Sequence, residues 1–282
     1  MHSRFKIVRA DHLGMCFGVK DAIALAEDKS GQGGLTILGQ LVHNPGVLSR
    51  LKAIGVEMRA ELDQVKTPSV MITAHGISDQ RRADVEASGR VVWDATCPLV
   101  RYAHRSAQQL ERLGFFPVVV GQERHVEVKG LTEDLSDFRV VLTRLDVEAL
   151  PEHSRFGFIS QTTQPVDRLL DLVGHCRRRF PSAEVRVIDT VCQPTKHRQL
   201  AAITLAQQSD AVVVIGGRES NNTQELVSTC SRFCHKVCQV AEVEDLIPGW
   251  FAGVGTVGVT AGTSTPPVAI ERIIQRLKEI AE

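Results

Sequence analysis

Short apolar runs alternate with helical stripes along this 282-residue chain. The run Val91-Val92-Trp93 stops at the polar Asp94-Ala95-Thr96, and Cys97 and Pro98 follow. Leu99, Val100, Ala103, Ala107, Leu110 and Leu113 then recur at helical spacing as far as Gly114, the mark of a helix with one apolar face. Pro98 suits its first turn, where a missing N–H has no partner to lose. A strand therefore hands over to a helix at Cys97, where terminal N–H groups and the helix dipole favour a thiolate.

The same alternation runs through the rest of the chain. Strands are expected at 6–10, 35–38, 69–73, 116–120, 140–143, 156–160, 211–215, 235–240 and 256–260. Helices are expected from Val19 to the Gly-rich turn at Gly31 and at 47–54, 99–113, 166–180, 195–208 and 268–280, with a linker after Ile54. A threefold repeat underlies this order. From cysteine to a polar residue the interval is 27, 28 and 28 (16 to 43, 97 to 125, 192 to 220). That residue lies four past a strand-ending glycine each time (39 to 43, 121 to 125, 216 to 220). A second strand then delivers His75, Thr162 or Ser264. Coincident spacings of this kind mark an internal repeat. The expected divisions are 1–96 with Cys16, 97–191 with Cys97 and 192–282 with Cys192.

Strand–helix alternation implies an α/β fold with mostly parallel sheets and right-handed crossovers. Functional loops then gather at the carboxyl ends of strands. Three similar α/β units in a pseudo-threefold trefoil would bring the three cysteines to one central point.

Composition narrows the function. Lys+Arg and Asp+Glu are both 33, so no global field recruits nucleic acid or an anionic membrane. No apolar run is long enough to span a bilayer, and Met1-His2-Ser3-Arg4-Phe5-Lys6 is too charged for a signal peptide. A cytoplasmic protein is expected. Seven cysteines are an odd number without the density of a disulfide scaffold.

Three thiolates on one centre suit zinc or an iron–sulfur cluster. The usual zinc site draws four ligands from close Cys-x-x-Cys pairs, whereas here one cysteine comes from each round. A cubane on three cysteines leaves one iron open to substrate. Around it, His43, His75 and His125 can donate to phosphate oxygens. Ser220, Asn221, Asn222 and Ser264 add neutral donors at strand–helix turns. Glu127 is the candidate acid, because a carboxyl group in a dry pocket has its pKa raised and can donate a proton. Thr162 can orient that proton. His104, His153, His175 and His197 read as ordinary core or surface histidines. Cys176, Cys230, Cys234 and Cys238 read as core thiols, with Leu226, Cys230 and Cys234 on one face of a helix from Thr223.

At these residues the chain resembles the LytB family of 4-hydroxy-3-methylbut-2-enyl diphosphate reductases. The resemblance rests on Gly14-Met15-Cys16-Phe17-Gly18, Val42-His43-Asn44, Ala74-His75-Gly76 and Asp94-Ala95-Thr96-Cys97-Pro98. It continues through His125-Val126-Glu127, Gln161-Thr162-Thr163, Cys192 with Arg198-Gln199, Ser220-Asn221-Asn222-Thr223 and Ala261-Gly262-Thr263-Ser264. Val126 stands where the family often has proline, and Asn221 replaces a frequent serine.

The resemblance implies a [4Fe-4S] cluster on Cys16, Cys97 and Cys192. It implies a diphosphate pocket from His43, His75, His125, Ser220, Asn221, Asn222 and Ser264, and catalysis by Glu127 with Thr162 and His125. The reaction would be reductive dehydroxylation of an allylic diphosphate to isopentenyl and dimethylallyl diphosphate, the last step of the non-mevalonate isoprenoid pathway. Ferredoxin or flavodoxin would be the electron donor. A dehydratase using an open iron without net reduction, and a cluster-based redox or iron sensor, are the other classes that three such cysteines allow.

Overall fold

The computed structural model describes residues 4–42 and 44–282. The strands are β1 (Lys6–Arg9), β2 (Leu35–Leu38), β3 (Val56–Arg59), β4 (Ser69–Ile72), β5 (Val91–Asp94), β6 (Phe116–Val120), β7 (Arg139–Val141), β8 (Arg155–Ser160), β9 (Glu184–Val187), β10 (Ala211–Ile215), β11 (Val237–Val240) and β12 (Thr256–Ala261). The helices are α1 (Phe17–Ser30), α2 (Pro45–Ala53), α3 (Asp79–Ala87), α4 (Pro98–Arg112), α5 (Val126–Thr132), α6 (Arg144–Glu148), α7 (Val166–Arg179), α8 (Gln193–Gln207), α9 (Asn221–Ser231) and α10 (Pro267–Ala281).

Every described strand pairing is parallel. The three four-stranded sheets have the orders β3-β2-β4-β5, β7-β6-β8-β9 and β11-β10-β12-β1. The orders are the same, with one difference in chain connectivity: the strand leading to the cysteine comes last in the first two sheets and from the N-terminus in the third. This departs from the expected division, which assigns Lys6–Ala10 to the segment 1–96. Ile7 and Val8 pair with Val257 and Gly258 of β12, so β1 completes the sheet of the third round. Each cysteine thus closes a round.

The chain divides into two compact bodies. One holds β1, the starts of α1 and α2, and Gln193–Glu282; the other holds the remainder through Cys192. In the first body, Val213, Ile215, Val257 and Val259 face α10 through Ile273, Ile274 and Leu277. Val212 and Val214, on the other face, pack with Ala202 and Leu205 of α8 and Leu226 of α9. In the second body, Val118, Val120, Phe156 and Phe158 pack with Leu169 and Leu172 of α7. Val119 and Ile159 face α4 through Ala103, Ala107 and Leu110. Apolar residues are needed on both sheet faces because helices cover both.

Three short helices escape the periodic pattern. Polar caps start two of them: Ser78 Oγ accepts from Arg81 N–H before α3, and Thr143 and Asp146 form a capping box at α6. The third, α5, begins at Val126 with His125 as its cap.

A close approach in the third sheet positions α9. A Cβ on Gly262 would lie 2.2 Å from Thr223 Oγ1, and one on Gly216 would lie 2.4 Å from the same atom. Gly262→Ala should therefore cost about 1–3 kcal/mol of stability. In a Thr223→Ala background the cost should shrink, giving a coupling on the order of 1 kcal/mol by urea unfolding; strict additivity would exclude the contact.

Candidate active site

The three cysteines occupy one position in the repeat. In register, Leu38 faces Ile72, Val120 faces Ser160 and Ile215 faces Ala261. Two residues beyond each facing residue, a carbonyl accepts a cysteine N–H. Ala74 O takes Cys97 N–H at 3.0 Å, Thr162 O takes Cys192 at 3.0 Å and Thr263 O takes Cys16 at 3.3 Å. This equivalence corrects one detail of the expected repeat. Thr162 matches Ala74 and Thr263, so the counterpart of His75 and Ser264 is Thr163.

The turns that present the cysteines differ. Before Cys97, Asp94 Oδ1 accepts from Thr96 N–H at 2.8 Å and from Thr96 Oγ1 at 2.5 Å. Arg82 and Arg101 both pair with the other oxygen. Burial pushes the Asp94 carboxyl up, but the hydrogen bonds from Thr96 and Arg82 outweigh it and hold the pKa below the usual carboxylate range. Asp189 makes the same kind of turn before Cys192, accepting from Val191 N–H at 3.1 Å. The loop before Cys16 is instead held by a buried guanidinium. Arg198 donates to Gly14 O through Nε at 3.0 Å and Nη2 at 2.5 Å, and to Pro194 O at 2.9 Å. None of the three cysteines is in a disulfide, and all are partly exposed.

The acid is sequestered in the second body. Glu127 is 2% exposed, at the second position of α5. Thr162 N–H donates to Oε1 at 2.6 Å and Thr162 Oγ1 to Oε2 at 3.1 Å. Burial drives the Glu127 pKa up to about 7, against these two hydrogen bonds, which favour the anion. His125 caps α5, its Nδ1 accepting from Glu127 N–H at 3.2 Å. In the neutral ring this places the proton on Nε2 and makes that nitrogen the donor. The His75 ring meets His125 edge-on at 5.6 Å. Cys97, Cys192, His75, His125, Glu127 and Thr162 thus share one body.

The neutral donors share the other with Cys16. Ser220 caps α9, its Oγ accepting from Thr223 N–H at 3.4 Å. Asn221 and Asn222 open that helix and are buried. Asn222 Oδ1 accepts from Thr263 N–H at 2.9 Å, tying the helix start to the Cys16 partner loop. Ser264 Oγ is buried with no hydrogen-bond partner among the described residues, which suits a donor waiting for a ligand. A helix N-terminus lined this way favours an anion. His43 lies outside the described residues. Its neighbour Asn44 caps α2, accepting from Val47 N–H at 3.0 Å.

Arg198, which stands above only as part of a motif, has a structural task here as the clamp on the Cys16 loop. Its signal was its phase: it falls with Thr195, Ala202 and Leu205 on the buried stripe of α8, where an arginine needs a partner. Of the residues set aside, Cys176, Cys230 and Cys234 are buried. Burial pushes the Cys176 thiol up to about 11 and Cys230 to about 12, as befits inert core thiols. Cys234 lies beyond the end of α9 and donates to Ser209 O at 3.4 Å. Cys238 is half-buried in β11. His153 stacks on Phe116 and His175 bonds Glu148.

A family model described as LytB protein matches residues 7–278. The 4-hydroxy-3-methylbut-2-enyl diphosphate reductase of Geobacter metallireducens is 36% identical over 278 residues, 98% of either chain. That of Aquifex aeolicus is 37% identical over 282 residues, 98% of this chain and 97% of its own. A solved structure of (E)-4-hydroxy-3-methyl-but-2-enyl diphosphate reductase, the terminal enzyme of the non-mevalonate pathway, superposes with a TM-score of 0.70. It is 36% identical and the match covers 98% of this chain and 99% of that one. The E-1-hydroxy-2-methyl-but-2-enyl-4-diphosphate reductase of Plasmodium falciparum superposes with a TM-score of 0.91 at 26% identity, over 98% of this chain and 88% of its own.

The Glu127 burial has a measurable consequence. An acid whose pKa rises from 4.5 to about 7 on folding holds its proton in the native state while the unfolded chain releases it. Its favourable contribution is complete below pH 4.5 and is lost as pH rises through about 7. Glu127→Gln should therefore gain stability relative to the parent between pH 5 and pH 8, on the order of 3 kcal/mol. Chemical denaturation at both pH values measures this, and an unchanged difference would refute the burial argument.

Proposed function

The chain belongs to the LytB family, and from that premise we propose that it is an oxidoreductase of isoprenoid biosynthesis. It reduces (E)-4-hydroxy-3-methylbut-2-enyl diphosphate to isopentenyl and dimethylallyl diphosphate, the terminal step of the non-mevalonate pathway. The observation that carries this reading is Glu127, a buried carboxyl with a pKa near 7 gripped by Thr162 beside the His75–His125 pair.

Cys16, Cys97 and Cys192 hold a [4Fe-4S] cluster in this proposal. The donor set fits. The three thiols are outside any disulfide and partly exposed, and each backbone hangs from the same carbonyl position of its sheet. When bound, the cluster supplies one-electron transfer and a Lewis-acidic iron toward the hydroxyl oxygen. The balance is R–OH + 2 e⁻ + 2 H⁺ → R–H + H₂O.

The chain's own residues bind and protonate. His43, His75, His125, Ser220, Asn221, Asn222 and Ser264 donate to the diphosphate oxygens, with the N-terminus of α9 adding its dipole. The Nδ1 contact with Glu127 N–H orients His125 Nε2 as donor. Glu127 holds its proton near neutrality and delivers it to the leaving hydroxyl. Thr162 fixes both carboxyl oxygens, so the proton is presented in one direction. Seven cysteines without a disulfide fit a reducing, cytoplasmic setting, where ferredoxin or flavodoxin would deliver the electrons.

Glu127→Gln should lower turnover at least about hundredfold, measured anaerobically with reduced methyl viologen, while iron content stays at the parental level. The parental rate should fall as pH rises through about 7, and that limb should vanish in the variant. Cys97→Ser should abolish the brown absorbance of anaerobically purified protein; retained colour would remove Cys97 from the ligand set.

A further inference from the structure

The outer face of α4, the helix that begins directly after Cys97, is unused by this chemistry. At 3.6 residues per turn, Arg101, Arg105 and Arg112 fall within an arc of about 40° along a stripe about 17 Å long. All three are exposed. Tyr102, 46% exposed, flanks the stripe and Leu113, 45% exposed, ends it. No acid occurs between Pro98 and Leu110. The only acid of the helix, Glu111, sits about 80° from Arg101 around the axis and accepts from Ser136 N–H at 2.7 Å.

Helix stability does not explain the stripe. Cations in the first turns oppose the helix dipole. Arg101 shares Asp94 with Arg82, but Arg105 makes no ion pair among the described residues. In α7, the other arginine-rich helix, Arg179 pairs with Glu148 at 3.3 Å and Glu152 at 3.5 Å. Beside the stripe lies a cavity of about 200 Å³ lined by Arg82, Arg101, His104, Arg105 and Gln108, with Asp79 its only acid. It offers guanidinium groups to an inserted carboxylate. On a chain of zero net charge, this positive face is local, and Arg and Tyr are the residues that interfaces favour.

Resting on the reading that Cys97 ligates the cluster, we infer that this face of α4 docks the electron donor, a small acidic iron–sulfur carrier of the ferredoxin kind. The helix rise puts the Arg105 backbone about 12 Å from that of Cys97, so a carrier held there lies beside the ligand. The short stripe suits a small footprint. Complementary charge would steer the encounter. Each docking oxidises one reduced carrier by one electron, and two dockings supply the two electrons that the dehydroxylation consumes.

The test uses the anaerobic holoprotein and an acidic ferredoxin. Titration calorimetry should show Arg105→Glu raising Kd about tenfold and Arg105→Glu/Arg112→Gln raising it further, with a flatter salt dependence. Ferredoxin-driven turnover should fall in parallel, while methyl-viologen-driven turnover stays at the parental level. An unchanged Kd in both variants would overturn the docking site, as would an equal loss of both rates. A response confined to flavodoxin would overturn the ferredoxin assignment. Absence of turnover by the parent with either donor would instead refute the reductase reading, and the Kd values would still decide the surface.

Discussion

One backbone hydrogen bond, from a cysteine N–H to a carbonyl two residues past the end of a central strand, organises the molecule. It is made three times, at Ala74, Thr162 and Thr263. Parallel pairing places those carbonyls at the same end of each sheet, where loops are free to carry chemistry. The requirement fixes little else about the turns. Asp94 and Asp189 fold theirs with a side-chain carboxylate, whereas Arg198 clamps the Cys16 loop from α8. Sheet register is shared and the local scaffolding is not, which is what a repeat produces when only the position of the thiol is constrained.

Glu127 shows the opposing forces in the site. Burial favours the neutral acid, and the two Thr162 bonds favour the anion. Burial wins by enough to bring the group near neutrality, where a proton can be both held and released. Thr162 has a second task, since its carbonyl carries Cys192. The residue that orients the acid therefore also orients a thiol, so acid and thiol cannot drift apart independently.

Most of the repeat was legible because it is written in spacing. The cysteines, the strand-ending glycines and the long amphipathic helices recur at fixed intervals, and the structure builds these strands and helices to within a few residues. The features that were not legible rest on partners remote in sequence. A strand's own pattern does not name its neighbour, so Lys6–Arg9 was grouped with the first round although it pairs with β12. Helices α3, α5 and α6 are too short to show a period and are started by polar caps. Thr162 was placed one position off its repeat because only register distinguishes it from Thr163. The phase of Arg198 marks it as buried, but its acceptor, Gly14 O, lies far away in sequence.

The pairing of β1 with β12 also orders events in time. β1 is made long before its partner, which lies some 250 residues later, at Thr256–Val259. The other two sheets draw their strands from contiguous sequence and can assemble during synthesis. Until then Cys16 lacks Thr263, Ala261 and Arg198, the groups that hold its loop. The Cys16 thiol is thus the last of the three to be positioned, once β12 and the loop after it have been made.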